Sequence, residues 1–206
     1  GRIVDSADPV RFIPLQVSGT AELAGDLWRA DLDLLNDEAR VATVRLQHQG
    51  ASGRGGVGID TGRLAFVEGG LQPADLSPLA SVVGSPATGA ARFTGRIDWT
   101  SEGVSSRGQL DIEELSFQSP AGALEGLRGE IVFDSLAPLS TAPDQRLVAR
   151  RIDSLAPLTA PEISFALKDE QLQISGGRTT LGGGEWPAAF PLRSQRRPVH
   201  QRATGG

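Results

Sequence analysis

The sequence predicts an all-β protein, an elongated, curved and mainly antiparallel sheet with one short helix. Two observations lead there. Apolar residues recur at every second position in segment after segment, which is the signature of strands with one buried and one wet face. The 206 residues also include 26 glycines and 13 prolines, enough to supply many turns and to leave little room for long helices.

Taken in chain order, the first clear strand sets Trp28, Ala30, Leu32 and Leu34 against Arg29, Asp31 and Asp33. Asn36, Asp37 and Glu38 make a turn, and Ala42, Val44 and Leu46 follow with His48 continuing their rhythm. The glycine-rich run at 50–56 reads as a hairpin loop, since it lacks the lysine and following helix of a phosphate-binding loop. Residues 74–83 form the one helix candidate, with Asp75 or Ser77 as N-cap and Pro78 in the first turn. The alternation is strictest at 91–99, where Ala91, Phe93, Gly95, Ile97 and Trp99 share a face opposite Arg92, Thr94, Arg96 and Asp98. A turn at 100–103 leads to Leu110 and Ile112, with Gln109, Asp111 and Glu113 opposite.

After Glu113 and Glu114 the phase flips, and Leu115 and Phe117 become the apolar set, which predicts a β-bulge. Leu127, Ile131 and Phe133 then alternate with Arg128, Glu130 and Asp134, and a hairpin joins Ile163, Phe165 and Leu167 to Leu172 and Ile174. Two near-identical segments start at Asp134 and Asp153, each carrying Ser-Leu-Ala-Pro-Leu after the aspartate; proline there ends strand pairing. The rhythm stops after Trp186, where prolines and arginines dominate.

Composition removes several functional classes. A net charge of −5 gives no general attraction for nucleic acid, and the absence of cysteine excludes disulfides and thiolate metal sites. No run approaches the length of a membrane-spanning helix, and the lack of any methionine predicts a piece of a longer protein whose anchor lies upstream. Catalytic groups are sparse, so no enzyme, catalytic residue, cofactor or metal is expected. His48 reads as a strand-end residue and His200 lies in the tail without an acidic neighbour; Asp31 and Asp33 share a face with Arg29, as on a solvated surface.

The run from Gly122 to Phe133, followed by Ser135-Leu136-Ala137-Pro138-Leu139-Ser140-Thr141-Ala142-Pro143 and Gln145, resembles the YdbH branch of the AsmA-like proteins. The same resemblance extends through the proline turn at 155–158, the hairpin at 163–174 and Gly182-Gly183-Gly184-Glu185-Trp186, and upstream through Leu64-Ala65-Phe66 to Leu79. It divides the chain into N-terminal strands of the same sheet at 1–49, the YdbH-like segment at 50–186, and an irregular basic tail at 187–206.

The resemblance implies a Gram-negative envelope protein, anchored in the inner membrane, that spans the periplasm and passes phospholipid along an apolar groove. The implied partners are phospholipid acyl chains, neighbouring segments of the same longer chain and the inner membrane, with no nucleic acid. A dicarboxylate-transport label also attached to this family finds no support, since no arginine cluster interrupts an apolar pocket pattern. Candidate groove residues are Phe93, Ile97, Trp99, Leu110, Ile112, Leu115, Phe117, Leu127, Ile131, Phe133, Phe165 and Leu172. Alternation alone does not separate an open groove from a closed sandwich core, the structural or adhesive alternative. A β-helix hydrolase is the third reading and requires carboxylates converging in a polar cleft.

Overall fold

The computed structural model describes residues 1–6, 10–119, 122–153, 158–168, 171–181 and 184–187. Among the described residues fifteen strands form one antiparallel sheet. They are β1 (Arg2–Ile3), β2 (Leu15–Ala24), β3 (Leu27–Asn36), β4 (Ala39–Gln49), β5 (Arg54–Asp60), β6 (Leu64–Phe66), β7 (Thr88–Thr100), β8 (Gly103–Ser119), β9 (Gly122–Leu136), β10 (Leu139–Thr141), β11 (Gln145–Val148), β12 (Arg151–Asp153), β13 (Leu158–Lys168), β14 (Gln171–Leu181) and β15 (Gly184–Pro187). The main path is β1-β2-β3-β4-β5-β7-β8-β9-β11-β13-β14-β15. With strands roughly 4.8 Å apart, that path measures about 50 Å.

Two positions on the path are filled by pairs of short strands. β5 and β6 lie end to end along β7, pairing with Thr94–Trp99 and Gly89–Ala91 respectively. β11 and β12 likewise fill the place between β9 and β13. The meander follows from its turns. Asp37 and Gly25 adopt positive φ at two hairpin tips, and the 91–112 hairpin closes through Thr100 paired with Gly103. The expected bulge is present: the register between β8 and β9 shifts between Ile112 and Leu115, with Glu114 at φ 48°.

Two sequence expectations change in detail. The 74–83 helix is instead a pair of short 3-10 helices, Pro73–Asp75 and Pro78–Val82, separated by Ser77 in an extended conformation. A residue that precedes proline is driven out of the helical region, so Ser77 cannot carry one helix into the next; its hydroxyl caps the second by accepting from the Leu79 amide. The 50–56 loop is shorter than expected, because β5 begins at Arg54. Glycine is needed inside this strand: a Cβ on Gly55 would lie 2.4 Å from the Trp99 indole, and one on Gly56 2.5 Å from the Asp98 carboxylate. The tail at 188–206 and the second proline turn at 154–157 lie outside the described residues.

The sheet is two-faced. In antiparallel ladders directly opposed residues share a face, so the register carries one apolar face across β2 to β13. The other face is charged and laced by ion pairs between Asp31 and Arg45, Asp33 and Arg40, Asp60 and Arg92, Asp98 and Arg96, and Glu162 and Arg146.

Candidate functional site

The apolar face is built in rows that cross the strands. Closest to the turns at 25–26, 50–53 and 101–102 runs Leu23, Trp28, His48, Gly55, Trp99 and Val104. The next row is Ala21, Ala30, Leu46, Val57, Ile97 and Ser106. A third contains Gly19, Leu32, Val44, Ile59, Gly95, Gly108 and Phe133. No row contains a carboxylate, lysine or arginine.

One half of this face is covered. The chain leaves the sheet after β6 and returns at β7, and this 67–87 excursion lays Leu71, Leu76 and Val83 over the far ends of the strands, where they pack with Leu64 and Phe66 of β6 and with Phe12 and Ile13. Two buried clusters result. Leu15, Leu34, Val41, Ala42 and Val44 form one, and Phe66, Ala87, Leu115, Leu124, Leu127, Leu147, Ala149, Ile152 and Phe165 form the other; Leu64, Leu71 and Leu76 pack against both.

Polar contacts hold the cover in place. The Gln72 side chain donates to the Val67, Leu71 and Ala87 carbonyls and accepts from the Ala87 amide at 2.7 Å. Asn36 donates to the Asp75 carbonyl, the Ile13 amide to the Leu76 carbonyl, and the Ser77 hydroxyl to the Arg11 carbonyl.

The half nearest the hairpin tips is not covered in this way. Leu23, Trp28 and Val104 are 53%, 47% and 74% exposed, and Ala30, Leu46, Ile97 and Trp99 are half-buried members of neither cluster, whereas Val57 packs on the edge of the Leu15 cluster. Trp99 lies across Gly55, and its Nε1 donates to His48 Nδ1 at 3.2 Å; the two rings are 6.0 Å apart. Phe93 meets Phe133 edge to face at 6.3 Å and caps Gly95 and Gly108 together with Leu136.

The twelve candidate residues therefore share a face but not an environment. Leu115, Leu127 and Phe165 are core residues, and Ile112, Phe117 and Ile131 pack on that core. Phe93, Ile97, Trp99, Leu110 and Phe133 are half-buried outside both clusters. Leu172 pairs with Leu167 in the ladder, and its side chain lies outside the described residues. Leu23, Trp28, Leu46 and Val104 in this uncovered strip, and Val57 at its boundary with the core, were not among the sequence candidates. The signal was available for Val57 and Ile59, which alternate with Gly56, Gly58 and Asp60, but the surrounding glycines read as loop.

The charged face offers little chemistry beyond solubility. Asp60 accepts two hydrogen bonds from Arg92, at 2.7 and 3.1 Å, and one from the Gly62 amide at 2.8 Å. These hold its carboxyl below the usual carboxylate range; Arg96 does the same for Asp98. Asp31 and Asp33 are each paired with an arginine on the neighbouring strand. Among the described residues no group of His, Asp and Glu side chains is placed to hold a metal ion, and no helix is long and apolar enough to cross a membrane.

A search among curated proteins and another among solved structures each found no match. A family model described as YdbH-like, intermembrane phospholipid transport protein YdbH, matches residues 4–200 and so reaches beyond the 50–186 segment on both sides. With a match over nearly its whole length, joined to a single antiparallel sheet that segregates apolar from charged side chains, the chain belongs to the YdbH-like family of the cell envelope, whose description is phospholipid transport between membranes.

Proposed function

We propose that the uncovered strip of the apolar face presents a surface to phospholipid acyl chains as they pass between the inner and outer membranes. The observation that carries this reading is the asymmetry of the face. Its far half is buried under the 67–87 excursion, while in the two rows at the hairpin tips only Val57 packs against a buried cluster and the rest of the apolar lining belongs to neither. A soluble domain gains nothing from leaving Leu23, Trp28 and Val104 exposed in one contiguous row, and such patches mark interaction surfaces. Each acyl methylene removed from water against this strip contributes about 0.8 kcal/mol, so a few contacts per chain hold a lipid without trapping it.

The closed half supports a second role, structural rigidity. Its clusters fix the sheet so that the open half keeps its shape. Periplasmic placement and inner-membrane anchoring belong to the same proposal and rest on the family membership.

The direct test is mass spectrometry of lipid co-purified with the protein after detergent-free extraction. Phospholipid should accompany the native protein in a defined ratio and be lost in an Ile97→Asp variant that melts normally. An intact, folded protein that carries no phospholipid would reject the proposal in favour of a purely structural role.

A further inference from the structure

Within the rows nearest the hairpin tips, His48 is the one titratable side chain. Trp99 reaches it over Gly55, where a side chain would displace the indole, and donates its only N–H to Nδ1. An imidazole nitrogen that accepts a hydrogen bond carries no proton, so the neutral ring holds its proton on Nε2. Trp99 thereby fixes both the tautomer and the orientation of His48. Ser106, the other polar side chain in these rows, is engaged by the Leu136 amide at 2.9 Å. The hairpin-tip rim of the apolar strip thus carries an N–H donor oriented by a neighbouring side chain, His48, beside the exposed indole of Trp28.

Resting on the acyl-chain reading above, we propose that His48 is the headgroup-side contact of the bound lipid. Its Nε2–H donates to an oxygen acceptor at the lipid's polar end, phosphate or ester, while the tail lies on Leu46, Val57 and Ile97. Trp99 is a positioning residue that acts through His48. The rim is where such a donor belongs: one side of the ring contacts hydrocarbon, and the acceptor stays close to water.

The test is titration calorimetry with monomeric single-chain lipids of one acyl length: an ester-linked lysophospholipid, its ether-linked analogue, a monoacylglycerol and the corresponding alkyl alcohol. Wild type should bind both phospholipids more tightly than the alcohol. His48→Phe, which keeps the ring shape without the donor, should weaken ester-linked lysophospholipid by about tenfold, the scale of one hydrogen bond to a charged group. It should weaken the alcohol, whose hydroxyl oxygen is only a neutral acceptor, by a smaller factor. His48→Gln should recover part of the loss.

The source of the acceptor follows from the other arms. Retained His48 dependence with the ether analogue identifies phosphate; dependence confined to the ester-linked lysophospholipid and the monoacylglycerol identifies the ester. Nitrogen-15 NMR of the imidazole adds a readout that a packing role would not move: the Nε2 resonance should shift more with lysophospholipid than with the alcohol, and Trp99→Phe should broaden the tautomer population. If wild type binds the alcohol but His48→Phe binds every lipid equally well, this inference fails alone. If wild type binds none of the four, the acyl-chain reading fails with it.

Discussion

At the scale of single residues, the same chemical change should have opposite consequences on the two halves of one face. Leu127 is 7% exposed within the core, and an aspartate there leaves an unpaired buried charge that costs about 3–5 kcal/mol. Ile97 belongs to neither cluster, so Ile97→Asp can turn its carboxylate to water and should cost about 1 kcal/mol or less. Denaturant melts of the two variants measure this difference, and equal destabilisation would mean that the strip is as closed as the core. Gly55→Val tests the packing of Trp99 separately: the added side chain should dislodge the indole and red-shift its fluorescence.

The Asp60–Arg92 pair gives a residue-scale pH dependence whose sign follows from its lowered carboxyl pKa. A depressed pKa contributes stability at pH values above the ordinary carboxylate range, and the contribution disappears as pH falls through the folded value. The pair is on the exposed charged face, so the contribution is small. Asp60→Asn should lower the thermal midpoint slightly at neutral pH, and the wild-type and variant midpoints should converge below the ordinary carboxylate range. Divergence on acidification would contradict the ion pair as the cause.

At the scale of elements, the covering excursion decides which part of the face is core. It is held by polar contacts centred on Gln72, and Gln72→Ala would strip partners from the Val67, Leu71 and Ala87 carbonyls and from the Ala87 amide. Loss of about 1–3 kcal/mol is expected, with hydrogen exchange rising first in 67–87 and not in β3 or β4. Uniform exchange throughout the sheet would show that the excursion is no separate unit.

The strands were legible in the sequence because alternation is a local signal: the 91–112 hairpin, its turn and the bulge at Glu114 all follow from neighbouring residues. The cover was not, since Leu71 and Leu76 meet their partners through long-range packing that no local period announces. The broken helix was readable in principle from Pro73 and Pro78, each of which forces the preceding residue to be extended.

At the scale of the whole molecule, twelve of the described strands in succession make a surface about 50 Å long, and from β2 to β13 its two faces differ in chemistry. The charged face keeps the sheet solvated. The apolar face is divided lengthwise into a closed half that stabilises it and a half whose lining suits hydrocarbon. Family membership gave the expectation of lipid, but the sequence alternation did not distinguish sealed from open positions; only the placement of β6 and the 67–87 excursion separates Leu127 from Ile97.

The most direct test of the central claim is photo-crosslinking along β7 in cells, with a photo-reactive amino acid replacing Arg96, Ile97, Asp98 or Trp99 in turn. Adjacent positions on a strand face opposite sides, so the strip predicts a two-residue pattern. Phospholipid adducts should form at positions 97 and 99 and be absent at 96 and 98. Adducts at none of the four, or at all four equally, would contradict the account.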